Sequence, residues 1–356
     1  MATTRVALGL MTLALAGCGG SAPIADAFYP RCTDASEQCL DHVQLAPGLA
    51  FPFYRNFALT TANPAITEAV IVIHGIDRDA GNYFQTVQGA AEQAGIAAQT
   101  LIVAPHFQCD GDAIDSGDAR WICDGATNWA HGGDDETDPA AAIDSFAVLD
   151  RLVESAANRS LFPNLQRVVV SGLSAGGQLT QRYAALNAID PGVGVPVEYV
   201  VLSPSSYLYF DDTRLAAGAT CAASGGCSGA FTPFWDAASC PGYDAYPYGL
   251  EARSGALAQP SGQQALAQYL ARDVRYFVGD ADTLANAAGT NLDTSCAANA
   301  QGVDRVARAI EYWNELRQQY QSQQPLVVVP GCEHSRPCMY ESLEVRAAVF
   351  ASAPLD

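Results

Sequence analysis

Six short apolar runs punctuate the chain: Ala69–Ile73, Thr100–Ala104, Arg167–Ser171, Tyr199–Leu202, Val274–Val278 and Leu326–Val329. Each is four to six residues long, rich in Val or Ile and bounded by Gly, Pro or polar residues, the pattern of a strand buried on both faces. Amphipathic stretches lie between them. Asp138-Pro139 reads as an N-cap with a first-turn proline, after which Ile143, Phe146, Leu149 and Val153 recur at helical spacing. Gln178–Asn187 carries a helical pattern, and Val303, Val306, Ile310, Trp313 and Tyr320 mark another. Strand–helix alternation of this kind predicts an α/β fold with a doubly wound, mostly parallel sheet. Residues 211–271 break the rhythm. They are rich in Gly, Ala, Ser and aromatics, and read as an insertion over the sheet, either a lid or cap or a long loop without a role.

Composition narrows the possibilities. The 356 residues are 49% hydrophobic, enough for a sizeable core and too much for disorder over most of the length. Asp and Glu number 38 against 18 Lys plus Arg, a net charge of -20, which repels phosphate backbones and argues against nucleic-acid binding. All the basic residues are Arg. Without Lys there is no Schiff-base chemistry, no Ser–Lys dyad and no P-loop.

The N-terminus reads as an address. Arg5 precedes an apolar run, Val6–Ala16, interrupted by Thr12 and too short to span a bilayer. It ends in Leu15-Ala16-Gly17-Cys18, which resembles a bacterial lipoprotein lipobox; an ordinary signal peptide is the alternative. The resemblance implies a signal peptide over 1–17, cleavage before Cys18, lipidation of its thiol, and anchoring to a cell-envelope membrane rather than simple secretion. Residues 18–45 then form a tether and N-terminal segment, and 46–356 the main domain. Ten cysteines remain, an even number that suits disulfides in an exported protein. Proximity suggests Cys32–Cys39, Cys109–Cys123, Cys221–Cys227 and Cys332–Cys338, leaving Cys240–Cys296. No Cys-x2-Cys pair occurs, which weighs against the rival reading, a zinc site.

The third apolar run leads into Gly172-Leu173-Ser174-Ala175-Gly176, followed by the helical pattern. A serine on a sharp strand-to-helix turn is forced into a strained conformation with its hydroxyl above the sheet, and the N–H of Ala175 at the helix start points at a developing oxyanion. With this motif in that setting, residues 65–350 resemble the α/β-hydrolase superfamily. The resemblance implies the order Ser, acid, His. His334 is the one histidine after Ser174, in the loop following the last strand; His42, His74, His106 and His131 precede it. The acid then sits after Val274–Val278, in Gly279-Asp280-Ala281-Asp282. The family spacing prefers Asp282, with Asp280 as the alternative. A second oxyanion N–H is implied at Ile76, after His74-Gly75, with His74 as a structural brace and Asp77, Arg78 and Asp79 as a local charge network.

His74-Gly-Ile-Asp-Arg-Asp-Ala80, Tyr246-Pro-Tyr-Gly-Leu250 and Leu292-Asp-Thr-Ser-Cys296 are similar to secreted esterases and polyester depolymerases. That similarity implies an exported serine hydrolase of small or polymeric esters that needs no cofactor. A peptidase or amidase on the same triad, and a catalytically silent surface-binding lipoprotein, are the alternatives. Two weaker signals remain. Asp110, Asp112, Asp115, Asp118, Asp134, Asp135 and Glu136 suit Ca²⁺ or, more ordinarily, a solvated acidic loop. Trp121, Trp129, Tyr207, Trp235 and Tyr246 suit either a substrate cleft or core anchors.

Overall fold

The computed structural model describes residues 31–125, 127–137 and 142–350. Ten strands occur among them: β1 (Leu40–Ala46), β2 (Leu49–Arg55), β3 (Glu68–Ile73), β4 (Thr100–Pro105), β5 (Arg167–Leu173), β6 (Val197–Leu202), β7 (Thr213–Leu215), β8 (Phe231–Pro233), β9 (Asp273–Gly279) and β10 (Leu326–Val329). Eight form one sheet in the order β1-β2-β4-β3-β5-β6-β9-β10. The neighbours from β4 to β10 run parallel, while β1–β2 and β2–β4 are antiparallel. All six apolar runs are strands of the parallel part.

The longer helices are α1 (Ala80–Gln93), α2 (Ser145–Ala156), α3 (Ala175–Leu186), α4 (Gly262–Ala271) and α5 (Arg305–Tyr320), followed by the short α6 (Arg336–Glu341) and α7 (Leu343–Val349). They cover both faces of the sheet, so consecutive strand residues alternate between two cores. Along β3, Ala69, Ile71 and Ile73 pack with Leu149, Leu179 and Tyr312 of α2, α3 and α5. Val70 and Val72 pack with Phe84 and Val87 of α1 and Val345 and Val349 of α7. Each fully buried Val or Ile contributes about 2 kcal/mol by leaving water. At the opposite end of the strands from the site described below, buried Arg167 bridges Glu68 (3.1 Å) and Glu198 (2.6 Å) and donates to the Val349 carbonyl (2.8 Å), tying α7 to the sheet.

Several boundaries differ from the sequence expectations. The sheet begins at Leu40, so a tether reaching residue 45 and a domain starting at 46 would cut β1 in two. The hairpin turn is Pro47-Gly48, where Gly48 has φ 80°, and Cys32 N–H already bonds the Asn56 carbonyl at 2.8 Å. Asp138-Pro139, expected to start a helix, lies outside the described residues, as do Cys18 and the leader. The helix starts at Ser145, where the Asp144 carboxylate accepts from Ala147 N–H at 2.8 Å. Val303 precedes α5 and is 62% exposed, off the core stripe it was expected to join. Among the described residues no helix is long and apolar enough to cross a membrane.

The structure joins the cysteines as Cys32–Cys39, Cys109–Cys123, Cys221–Cys227, Cys240–Cys296 and Cys332–Cys338, with Cα separations from 4.0 to 5.8 Å. The insertion carries the small β7–β8 pair and is tied at Cys240 to the segment before α5. Its last ten residues are α4, which packs on α3 as a crossover helix rather than as part of a cap.

Candidate active site

β5, the strand beside β3 and β6, is buried along its whole length and stops at Leu173. The chain reverses at Ser174 and α3 starts at Ala175. Ser174 has φ 62° and ψ -120°, a conformation that costs a non-glycine residue about 1–3 kcal/mol. It is held by its own N–H, which donates to the Leu202 carbonyl at 3.0 Å. The turn is tight enough to exclude side chains beside it. A Cβ on Gly172 would strike the Gly176 backbone, and one on Gly176 the carbonyl of Ile73. Strand–turn–helix packing, not an isolated motif, sets the serine.

The two other members of the expected triad meet. His334 Nδ1 lies 2.7 Å from Asp282 Oδ2, and Asp282 is 2% exposed. Asp280 does something else: its carboxylate accepts from Gly331 N–H at 2.8 Å, and its N–H donates to Val329 at 3.0 Å. With Ala281 N–H donating to the Cys332 carbonyl at 3.0 Å, the loop after β9 and the loop after β10 are laced together. Cys332–Cys338 closes the second loop around His334. Burial holds the His334 pKa below its ordinary value, the Asp282 hydrogen bond opposes this, and the Arg305 cation adds to it. That direction favours the neutral imidazole, the form able to accept a proton.

Ser174 and His334 both line a cavity of about 290 Å³, together with Gly75, Ile76, Asp77, Thr290, Asn291 and Arg336. Among the described residues, neither the Ile76 N–H nor the Ala175 N–H has a protein acceptor. Ile76 is among the residues lining the cavity, and Ala175 follows the lining residue Ser174 without lining it. The sequence offered no signal for Thr290 and Asn291, which reach the cavity from a loop of low periodicity, or for Arg336, the first residue of α6. Nor did it single out Arg305, whose one local mark is its place after the N-cap Asp304.

His74 braces the Ile76 loop. Phe107 N–H is a donor, so His74 Nε2 must accept from it at 3.0 Å, and Nδ1–H therefore donates to the Gly75 carbonyl at 2.7 Å. The ring stands edge-on to Trp129, with centroids 4.6 Å apart. Burial is the main cause that lowers its pKa to about 3. Because the folded pKa lies below the unfolded one, the unfolded chain takes up a proton that the native state refuses. His74 thus drains stability as pH falls from about 6.5 towards 3. His74→Gln, which can accept and donate without titrating, is expected to flatten acid unfolding over that window. Urea melts at pH 7 and pH 4.5 check this; a wild-type pH slope in the variant would refute it. The adjoining charges pair with residues far along the chain rather than with one another: Arg78 forks onto Asp112 at 2.6 and 3.0 Å and donates to the Ile76 carbonyl at 2.8 Å, while Asp79 pairs with Arg336.

The weaker signals resolve differently. No residue of 211–271 lines the cavity at Ser174, and neither do the five aromatic candidates. Trp121, Trp129 and Tyr207 are fully buried core residues, Tyr246 packs at the core's edge, and Trp235 is 65% exposed. In the acidic stretch, Asp112 pairs with Arg78, Asp110 with Arg120 and Asp118 with His42, while Asp135 accepts two backbone N–H groups. Among the described residues no three His, Cys, Asp or Glu side chains are grouped to hold a metal ion.

No protein-family model matches the chain, and no curated protein matches it in sequence. Solved structures do. The chain is similar to LpqC, a poly(3-hydroxybutyrate) depolymerase from Bordetella parapertussis, with 21% identity and a TM-score of 0.53 over 82% of this chain and 81% of that one. It is also similar to poly(aspartic acid) hydrolase-1 from Sphingomonas sp. KT-1, with 18% identity and a TM-score of 0.55 over 87% and 97%. Strand order, the strained serine after β5 and this structural likeness agree that the chain has the α/β-hydrolase fold.

Proposed function

We propose that this protein is an exported serine hydrolase that cleaves carboxylic esters through an acyl-enzyme. The observation that carries the reading is the 2.7 Å contact between His334 and buried Asp282, in a cavity that Ser174 also lines. Ser174 Oγ attacks the ester carbonyl carbon while His334 Nε2 takes its proton. The N–H groups of Ile76 and Ala175 receive the oxyanion. The tetrahedral adduct expels the alcohol, which leaves with the proton from His334, and water repeats the sequence to release the acid and restore Ser174. Asp282 fixes the imidazole tautomer and balances its charge.

Of the two solved structures named above, one is a depolymerase of poly(3-hydroxybutyrate), a neutral polyester, and one a hydrolase of poly(aspartic acid). A net charge of -20 favours the neutral kind of substrate, since a polyanion would be repelled on approach. The leader, the lipobox-like Leu15–Cys18 and five disulfides support export, with Cys18 as the lipid anchor to a cell-envelope membrane.

The test is hydrolysis of p-nitrophenyl esters from acetate to palmitate beside the matching anilides. The cavity, about 290 Å³, sits at the lower edge of pockets that enclose small ligands and is walled largely by polar groups. Acetate and butyrate are expected to exceed palmitate by about tenfold or more in kcat/KM. Turnover of the anilides alone would move the assignment to an amidase, and no turnover of either by folded protein would remove it. In cells, the Cys18→Ala chain should leave the membrane fraction; a membrane-bound variant would refute the anchor.

A further inference from the structure

Arg305 is the least expected charge in the molecule. It is the first residue of α5 and only 1% exposed. Its guanidinium donates from Nη2 to Ser205 Oγ at 2.8 Å and to the Thr290 carbonyl at 2.7 Å. From Nη1 it donates to Thr290 Oγ1 at 3.0 Å and reaches Asp282 Oδ1 at 3.5 Å. The carboxylate whose other oxygen faces His334 is thus shared with a buried cation. That cation also grips, by both backbone and side chain, a residue that lines the cavity at Ser174. Asp304, beside it, caps α5 through Ala307 N–H and holds Leu284 N–H at 2.9 Å, so both ends of the 284–290 segment are fastened to the start of one helix. Cys240–Cys296 ties the residues between that segment and α5 to the insertion.

We infer that Arg305 is a positioning residue for the hydrolysis proposed above, setting the orientation of Asp282 and the place of Thr290 at the cavity wall with one guanidinium. A bare carboxylate accepting one bond from His334 is free to rotate about its Cβ–Cγ axis. The Arg305 cation 3.5 Å from Oδ1 biases that rotation electrostatically and favours presenting Oδ2 to the imidazole. The same cation disfavours the imidazolium and keeps His334 free to accept a proton. The charges facing this group are known from every side. His334 is met by Asp282, Arg305 and, from the loop after β3, Asp77; Arg305 is met by Asp282 and Asp293, with Arg308 one turn along α5. Arg336 also lines the cavity beside His334, where it is paired with Asp79; removing Arg305 takes away the cation held against Asp282, so the imidazolium becomes easier to form and the acid limb of kcat/KM moves to higher pH.

Arg305→Gln and Arg305→Lys separate the two duties. The Gln variant is expected to shift the acid limb upward and to lower kcat about a hundredfold, the scale of a misplaced catalytic group. The Lys variant keeps the charge but cannot fork onto both Thr290 acceptors; its acid limb should stay near the wild type's while KM rises severalfold. A role confined to stability would move neither the limb nor the KM-against-kcat split. An acid limb in folded Arg305→Gln that superimposes on the wild type's overturns the inference, as does an unchanged KM in Arg305→Lys, which decides the matter if the Gln variant does not fold. The inference rests on Ser174-based hydrolysis. Ser174→Ala, measured in parallel, reports on that reading separately: activity surviving in it removes the reading itself, whatever the Arg305 variants do.

Discussion

Ser174→Ala should lose about five to six orders of magnitude in turnover while folding as the wild type does. The loss follows from the roles proposed above. Without Oγ there is no acyl-enzyme, and His334 has only a water to activate. What survives is the catalysis that two backbone donors and substrate binding supply on their own, roughly a thousandfold or more over bulk water. The fold has little reason to object. Ser174 is nearly buried and alanine keeps its Cβ, so the turn between β5 and α3 faces the same backbone strain, at φ 62°, before and after the change. The retained Ser174 N–H bond to Leu202 does not involve the side chain. Stopped-flow hydrolysis of p-nitrophenyl acetate, with covalent labelling by a fluorophosphonate, checks both halves. The wild type should show a burst equal to its concentration and take up one label per chain, and the variant neither. A variant that still labels, or turns over within tenfold of the wild type, would place the nucleophile elsewhere.

The sequence revealed the centre of this molecule better than its margins, for a physical reason. Strands β3, β4, β5, β6 and β9 are covered on both faces, so nearly every position must be apolar; the edge strand β10, half-buried at three of its four residues, still sets its apolar side chains against both cores, and unbroken Val/Ile runs announce all six. β1 and β2 lie at the sheet edge with partly exposed residues, as in Leu40-Asp-His-Val, and resemble loop until Pro47-Gly48 is recognised as a hairpin turn. The same difference divides the candidate site. Ser174 and His334 stand at strand ends whose local pattern is strong, and the Gly279-Asp280-Ala281-Asp282 stretch follows β9 directly. Thr290 and Arg336 are brought to the cavity, and Arg305 to Asp282 and Thr290, by packing between segments far apart in the chain, and no period or spacing encodes such a meeting. The insertion at 211–271 shows the same limit. A segment rich in Gly and aromatics signals irregularity, and where it lies over the surface is decided by contacts such as Cys240–Cys296 and those of β7 with α5.

The choice between the two aspartates after β9 yields the second large effect. Asp282→Asn is expected to lower kcat about ten-thousandfold and Asp280→Asn less than about tenfold. Geometry separates them. In the wild type Asp282 Oδ2 accepts from His334 Nδ1–H, which leaves Nε2 bare to take the serine proton. An asparagine at 282 must choose which of its two heads faces His334. Arg305 Nη1 stands 3.5 Å from the Oδ1 position and is a donor only, so it selects the amide oxygen there and turns the NH₂ towards the imidazole. His334 Nδ1 must then accept, its proton moves to Nε2, and the base is lost although every heavy atom stays in place. Asp280 faces no such choice. Its partner at 2.8 Å is Gly331 N–H, which the carbonyl of an asparagine accepts equally well, so the loop bearing His334 keeps its fastening. Measured kcat values for the two variants, with near-ultraviolet circular dichroism to establish folding, decide the assignment. The larger loss falling on Asp280→Asn would exchange their roles. A small loss in both would mean that His334 needs no carboxylate to hold its tautomer, and the 2.7 Å contact would then be structural.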